Sequence, residues 1–117
     1  MAPLTDALTL RAYANALANW RFEGYVVWTG VALRWVRREL EGHTMQSIAR
    51  AMHEYVARGG VIDQVVETRA GWAEHRYHYD LRLEFEGRPI YVETRLLFED
   101  PNDPDDPRIH VVNIHDQ

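Results

Sequence analysis

The feature that most constrains this fold is a run of alternating residues followed by a two-residue turn. From residue 75 to residue 85 the odd positions are mostly apolar or aromatic, and the even positions are polar or charged. A period of two is typical of a β-strand that buries one face. Glu86-Gly87 then offers a tight turn with glycine at its second position. The sequence therefore predicts a β-hairpin whose second strand runs from residue 88 to residue 99.

The turn determines which residues of the two strands face each other. If Phe85 lies opposite Arg88, the buried face pairs Tyr77–Leu96, Tyr79–Thr94, Leu81–Val92 and Leu83–Ile90. The other face then pairs His78–Arg95, Asp80–Glu93 and Arg82–Tyr91. A slip of one residue would exchange the two faces, so the apolar pattern defines the register. We expect the polar face to be exposed to solvent.

The remaining sequence predicts a single α+β domain with a helical half at residues 1–60 and a sheet half at residues 61–117. Helical spacing of apolar residues marks segments 5–19, 29–41 and 44–58, with threonines suited to cap the second and third. β-branched residues mark two further strands at 61–69 and 108–116, and residues 21–28 fit either a strand or a helix entry. We expect two or three N-terminal helices packed on a four-stranded antiparallel sheet.

The composition excludes several classes of chemistry. The 117 residues contain no cysteine, which rules out disulfides, thiolate zinc sites and a cysteine nucleophile. All thirteen basic residues are arginine, so Schiff-base and P-loop chemistry, which need a lysine, are also excluded. No apolar stretch reaches the roughly 20 residues of a membrane span, and no signal-peptide pattern is present. We therefore expect a cytoplasmic protein that does not enter the membrane.

The net charge of −5 is concentrated near one end of the chain. Residues 99–117 contain six acidic residues and one arginine, whereas residues 1–98 contain twelve of each. A neutral body argues against tight, unspecific binding of nucleic acid. The acidic loop at 99–107 favours one candidate function, a non-enzymatic protein-binding module such as an immunity protein, an antitoxin-like partner or a regulatory subunit.

The polar face of the hairpin carries the residues best suited to catalysis. Arginine makes bidentate contacts with phosphate, and histidine exchanges protons near neutral pH. We predict an acid–base pair, His78 and Glu93, beside three phosphate contacts, Arg82, Arg95 and Tyr91; further substrate contacts are Arg34, Arg38 and Arg76. A solvated lattice of salt bridges would explain the same residues without a function. Because this face is expected to be exposed, alanine substitutions at His78 and Arg95 should leave the fold intact.

The histidines of the sheet are expected to be divided between its two faces. His110 and His115 are five positions apart, and His75 and His78 are three apart. Residues separated by an odd number in a regular strand point to opposite faces. At most one histidine of each pair should therefore reach the polar face of the hairpin.

Five short motifs follow one another along the chain: TGVALR at 29–34, EGHT at 41–44, ARGG at 57–60, VID at 61–63 and VVNI at 111–114. With these motifs, the order of elements resembles that of the RelE/MqsR-like superfamily of small toxin ribonucleases (the barnase–EndoU–colicin–RelE type). The resemblance implies cleavage of RNA without metal or cofactor, and a cognate antitoxin as protein partner; a homodimer is compatible with it. Val31 stands where the superfamily usually has a histidine. The role of that histidine would then fall to His78.

Asp80 with Glu93-Thr94-Arg95 also resembles the Asp…Glu-x-Lys signature of restriction-endonuclease-like (PD-(D/E)xK) nucleases. This second resemblance implies that Asp80 and Glu93 bind Mg²⁺. Arginine occupies the position where those enzymes have lysine, and no convincing helix pattern follows the signature. The sequence thus leaves three functions open: a metal-independent ribonuclease-like toxin, a protein-binding module and a Mg²⁺-dependent nuclease.

Overall fold

The computed structural model describes residues 2–72, 74–98 and 107–117, which form an α+β fold. Its elements in chain order are β1 (Ala2–Pro3), α1 (Ala7–Ala18), β2 (Val26–Trp28), α2 (Gly30–Glu39), α3 (Met45–Ala57), β3 (Asp63–Val66), β4 (Tyr77–Phe85), β5 (Arg88–Phe98) and β6 (Pro107–Asp116). A short 3₁₀ turn at Ala70–Trp72 lies between β3 and β4. Within these ranges no helix has the length and apolar character that crossing a membrane requires.

The strands form one six-stranded mixed sheet in the order β1-β3-β4-β5-β6-β2. Neighbouring strands are antiparallel except for β2, which runs parallel to β6. The prediction of an α+β fold is confirmed, but a four-stranded antiparallel sheet is correct only for β3 to β6. The two additional strands are two and three residues long, which is too short for a period of two to appear in the sequence.

β4 and β5 form the predicted hairpin in the predicted register. Asp80 lies opposite Glu93, and Leu81 lies opposite Val92. The turn residues Glu86-Gly87 both have positive φ angles, 54° and 82°, as a type I′ turn requires. Because the type I′ twist matches that of the flanking strands, this turn sets the register of the hairpin.

The three helices cover one face of the sheet and enclose the hydrophobic core. α1 and α2 pack on β6, and α3 packs against α1 and β4. Thr29 accepts a hydrogen bond from the Ala32 amide and Thr44 accepts one from the Ser47 amide, so both predicted helix caps are confirmed. The core joins apolar side chains of helices and strands, among them Leu17, Val36, Ile48, Met52, Leu81, Ile90, Val92, Ile109 and Ile114.

One polar contact crosses this core. The Tyr13 hydroxyl lies 2.8 Å from Thr94 Oγ1, and both residues have no exposed surface. Thr94 Oγ1 in turn donates to the Tyr79 carbonyl at 2.6 Å. The chain of hydrogen bonds links α1 to the hairpin and satisfies groups that water cannot reach.

Thr94→Val should lower the free energy of unfolding by about 1–3 kcal/mol, because it leaves the Tyr13 hydroxyl buried without this partner. Tyr13→Phe removes the other half of the contact. The double variant should cost less than the two single variants together, as urea unfolding would show. If the double variant loses as much free energy of unfolding as the two single variants together, the hydrogen bond between Tyr13 and Thr94 is contradicted.

Candidate functional site

β6 contains a bulge opposite β5. The pairing passes from Glu93–Asn113 directly to Thr94–Val111, which leaves Val112 as an extra residue in β6. One extra residue reverses the alternation of side chains along a strand. On one face of the sheet, β6 therefore presents even-numbered residues before the bulge and odd-numbered residues after it.

The bulge brings His110 and His115 to the same face, the one turned away from the helices, which we call the second face. His110 pairs opposite Arg95, and its ring meets that of Trp72 edge-on with 5.7 Å between centroids. His115 stacks on Tyr91 with 5.2 Å between the ring centroids. The prediction that these two histidines point to opposite faces is wrong, because the parity rule holds only for an unbroken strand.

The same rule fails for His75 and His78. His75 precedes β4 and so follows no strand alternation, and its ring lies 6.0 Å from that of Trp72. His78 is part of β4 and bonds to Asp80 on the second face. Both members of each pair therefore lie on the second face, which carries four histidines.

The part of the second face around Asp80, Glu93 and Arg95 is buried, contrary to the expectation of a solvent-exposed surface, whereas Arg82 and His115 are exposed. Asp80 and Arg95 have no exposed surface, and Glu93 has 8%. Residues 67–72, which we call the covering segment, contribute the charged and aromatic side chains that lie against this face. Alternation along the hairpin predicts a polar face correctly, but it does not tell whether water or other side chains satisfy the polar groups.

Four charged side chains form a closed ring beneath the covering segment. Arg69 and Arg95 each donate hydrogen bonds to both Glu67 and Glu93. The Arg69 Nε–Glu67 Oε1 and Arg95 Nη1–Glu93 Oε2 distances are both 3.1 Å. The Arg95 guanidinium also packs on Trp72, 5.1 Å from the ring centroid. Two cations balance two anions, so the charged ring is neutral as a whole.

The interactions of Glu67 with the two arginines of the charged ring outweigh the cost of burying its carboxylate. Burial alone would raise the pKa of Glu67, but hydrogen bonds from Arg69 and the nearby charge of Arg95 lower that pKa to about 2. Glu93 and Glu67 raise the pKa of Arg69. Burial, Arg95 and His75 lower the pKa of His110, so its imidazole is neutral at pH 7. Glu67 is therefore ionised at pH 7.

Beside the charged ring, His78, Asp80 and Tyr91 form a second cluster. His78 Nδ1 lies 2.7 Å from Asp80 Oδ1, and the Tyr91 hydroxyl donates to Asp80 Oδ2. Burial raises the pKa of Asp80, while the hydrogen bonds from Tyr91 and His78 lower it in part. Burial and the charge of Asp80 raise the pKa of Tyr91, which keeps the phenol protonated as a donor. The His78 side chain retains 13% of its surface exposed, so this cluster meets solvent there.

The other predicted site residues are only partly brought together. Arg82 pairs with Asp63 at 2.9 Å and keeps 44% of its side chain exposed on the second face. Arg34 and Arg38 are exposed on α2, on the helical side of the sheet, so the structure separates them from the hairpin site. Arg76 is an exposed residue next to β4.

The carboxylates proposed for Mg²⁺ are already engaged with other side chains. Glu93 Oε2 accepts hydrogen bonds from Arg69 and Arg95, so two positive charges adjoin the atom that would bind a cation. Both oxygens of Asp80 accept hydrogen bonds as well. Across residues 2–72, 74–98 and 107–117, no cluster of three or more histidine or acidic side chains is arranged to hold a metal ion. The donor set therefore does not fit a Mg²⁺ site.

Sequence reasoning missed Glu67, Arg69 and Trp72. Glu67 and Arg69 fall within the strand predicted at 61–69, but the observed β3 ends at Val66, and neither helical nor strand periodicity places Trp72. Their position depends on contacts with Arg95, which is 26 to 28 residues away from Arg69 and Glu67. A local signal did exist: two directly opposed carboxylates, Asp80 and Glu93, require nearby cations or donors.

No protein-family model, curated protein or solved structure matches this chain. Its function is therefore argued from the charged ring, from the His78 cluster and from the sequence.

Arg95→Ala should lower the free energy of unfolding by about 3–5 kcal/mol, because it leaves buried carboxylates without a compensating charge. This replaces the expectation that the fold tolerates the change. Arg38→Ala is the matched control, because the Arg38 side chain is 68% exposed in a surface ion pair worth at most about 1 kcal/mol. Equal urea-unfolding midpoints for the two variants would contradict the buried ring.

Proposed function

We propose that this protein is a metal-independent ribonuclease whose proton transfer occurs at His78. The observation that carries the proposal is the 2.7 Å contact of His78 Nδ1 with the fully buried Asp80 carboxylate. A buried carboxylate on one ring nitrogen orients the imidazole, which leaves Nε2 to exchange protons. The resemblance of the chain to RelE/MqsR-like toxins supports RNA as the substrate, with an antitoxin as protein partner.

RNA can be cleaved without a metal because it carries its own nucleophile. The 2′-oxygen forms a bond to the adjacent phosphorus, and the bond from phosphorus to the 5′-oxygen breaks, which yields a 2′,3′-cyclic phosphate. A base takes the proton of the 2′-hydroxyl, an acid returns a proton to the leaving 5′-oxygen, and a cation stabilises charge on the phosphate. The site must therefore supply two proton-transfer groups and one cation.

The second face carries side chains of these types on its strands β4 and β6. His78 provides one imidazole, and His115 provides a second, connected to it through the stacked Tyr91 and the Asp80 carboxylate. Arg82, with 44% of its side chain exposed, is the cation that a phosphate can approach. His115 thus replaces Glu93 as the second proton-transfer group of the sequence prediction.

Glu93 and Arg95 have a different role in this proposal. Both belong to the charged ring, where their charges are balanced by other buried side chains. The guanidinium of Arg95 is buried and its charge is balanced by Glu67 and Glu93, so a phosphate cannot readily approach it. We therefore assign Glu93 and Arg95 as positioning residues that hold the covering segment next to the His78 cluster.

A protein-binding module remains the second candidate. Residues 99–106 of the acidic loop lie outside the described residues, so the sequence alone supports that surface. The exposed apolar residues Leu8, at 76%, and Val66, at 63%, are the structural observation that favours it. In this alternative the His78 cluster would be a structural element, and a protein partner would cover the apolar residues.

Purified protein should cleave a fluorescent single-stranded RNA in the presence of EDTA and leave 2′,3′-cyclic phosphate ends. His78→Gln should slow cleavage about 10²- to 10⁴-fold, because it removes a proton-transfer group. His53→Gln is the matched control, since His53 belongs to α3 on the helical side of the sheet.

Thermal unfolding should be measured for both variants, so that loss of cleavage is not mistaken for loss of folding. A folded wild-type protein that cleaves no RNA, or a His78→Gln variant that cleaves as fast as wild type, would overturn the proposal. Cleavage that stops with EDTA and returns with Mg²⁺ would instead favour the metal-dependent nuclease.

A further inference from the structure

A pocket of about 260 Å³ opens at the outer strand β2, between this strand and the start of α3. The residues that line it include Trp20, Arg21, Phe22, Val26, Trp28 and Met45. It lies on the helical side of the sheet and shares no lining residue with the His78 cluster or the charged ring. The site described above therefore does not account for it.

The aromatic lining of this pocket is open to solvent. Phe22 is 64% exposed and Met45 is 43% exposed, while Trp20 and Trp28 are only partly buried. Large apolar side chains that line a concave surface and remain exposed indicate a binding site. Flat rings in such a pocket favour a flat ligand that can stack on them.

Two guanidinium groups adjoin the aromatic lining. The Cζ atoms of Arg21 and Arg50 lie 5.1 Å and 5.7 Å from the centroid of the Trp20 ring. Arg50 is also paired with Glu54 at 3.0 Å, and Arg21 is exposed. Glu23 also lines the pocket, so the guanidinium of Arg21, which lies beside the Trp20 ring, is the group that can contact a negative charge next to a stacked flat ring.

We infer that the pocket binds an unpaired base of single-stranded RNA, with Arg21 beside its phosphate. The choice of RNA rests on the proposed function. Bases stack on aromatic side chains with little regard to sequence, and arginine contacts the backbone. The pocket would thus give the RNA strand one local contact that reads no defined sequence, rather than the tight, unspecific binding that the neutral charge of residues 1–98 argues against.

The topology connects this pocket with the proposed catalytic face. β2 is the last strand of the sheet on its side, and its neighbour β6 carries His110 and His115 on the second face. A single strand that passes around this edge would contact the pocket on one side and the histidines on the other. The pocket therefore acts as an anchor that delivers the strand to the second face.

The probe is a 2′-O-methyl oligoribonucleotide of eight residues, which has no free 2′-hydroxyl and cannot be cleaved by the proposed reaction. Fluorescence anisotropy at fixed salt concentration should show binding to the wild-type protein. Phe22→Ala should weaken binding about five- to hundredfold, because it removes one stacking surface. Arg21→Ala should also weaken it and reduce its dependence on salt. Leu8→Ala is the control, an exposed apolar residue that does not line the pocket.

Wild-type protein that does not bind the probe, or Phe22→Ala protein that binds it as Leu8→Ala does, would overturn the inference. Dimerisation that depends on Phe22, in protein that ignores the probe, would assign the pocket to a second copy of the chain. If the protein cleaves RNA but the pocket variants bind the probe as wild type does, only the role of the pocket as an RNA anchor would be overturned. Probe binding through the pocket in a protein that cleaves no RNA would overturn only the proposed function.

Discussion

A ring of four charges, in which Glu67, Glu93 and Arg95 are buried and Arg69 reaches solvent, determines the structure of the part of the sheet's second face on which it lies. Glu67 and Arg69 come from the covering segment, whereas Glu93 and Arg95 come from β5, so the ring fastens the segment to the sheet. A charge that loses its partner inside a protein costs several kcal/mol, and the ring is stable only while all four members are present. The position of Trp72, which packs on Arg95, depends on the same contacts.

The charged ring also explains how two opposed carboxylates can coexist in the hairpin. Asp80 and Glu93 are cross-strand neighbours whose charges would repel each other if they were unpaired. The two arginines compensate Glu93, which leaves Tyr91 and His78 to satisfy Asp80. Because Glu93 accepts its hydrogen bonds from the two arginines, His78 and Tyr91 are left to bind Asp80, and this contact orients the His78 ring. The structural ring and the proposed catalytic cluster are two parts of one arrangement of charges.

Local patterns in the sequence were sufficient for the hairpin and for the helix caps. Alternation over residues 75–85 and the turn at Glu86-Gly87 involve neighbouring residues only, and the register they predict is the one observed. The second face was not predictable in this way, because its burial depends on Glu67 and Arg69 reaching side chains more than twenty residues away. The bulge at Val112 carries no composition signal, yet it alone decides that His110 and His115 share a face.

The buried, ionised state of Glu67 in the charged ring is tested most directly by comparing the acid unfolding of Glu67→Gln with that of wild type. The pKa of Glu67 is about 2 in the folded protein and near 4.5 in the unfolded chain. Its stabilising effect is therefore complete above pH 4.5 and disappears as the pH falls towards 2. We expect wild type to have the higher free energy of unfolding at pH 7, with a difference that narrows steadily between pH 4.5 and pH 2. A difference that stays constant over this range, or that is absent at pH 7, would contradict the account.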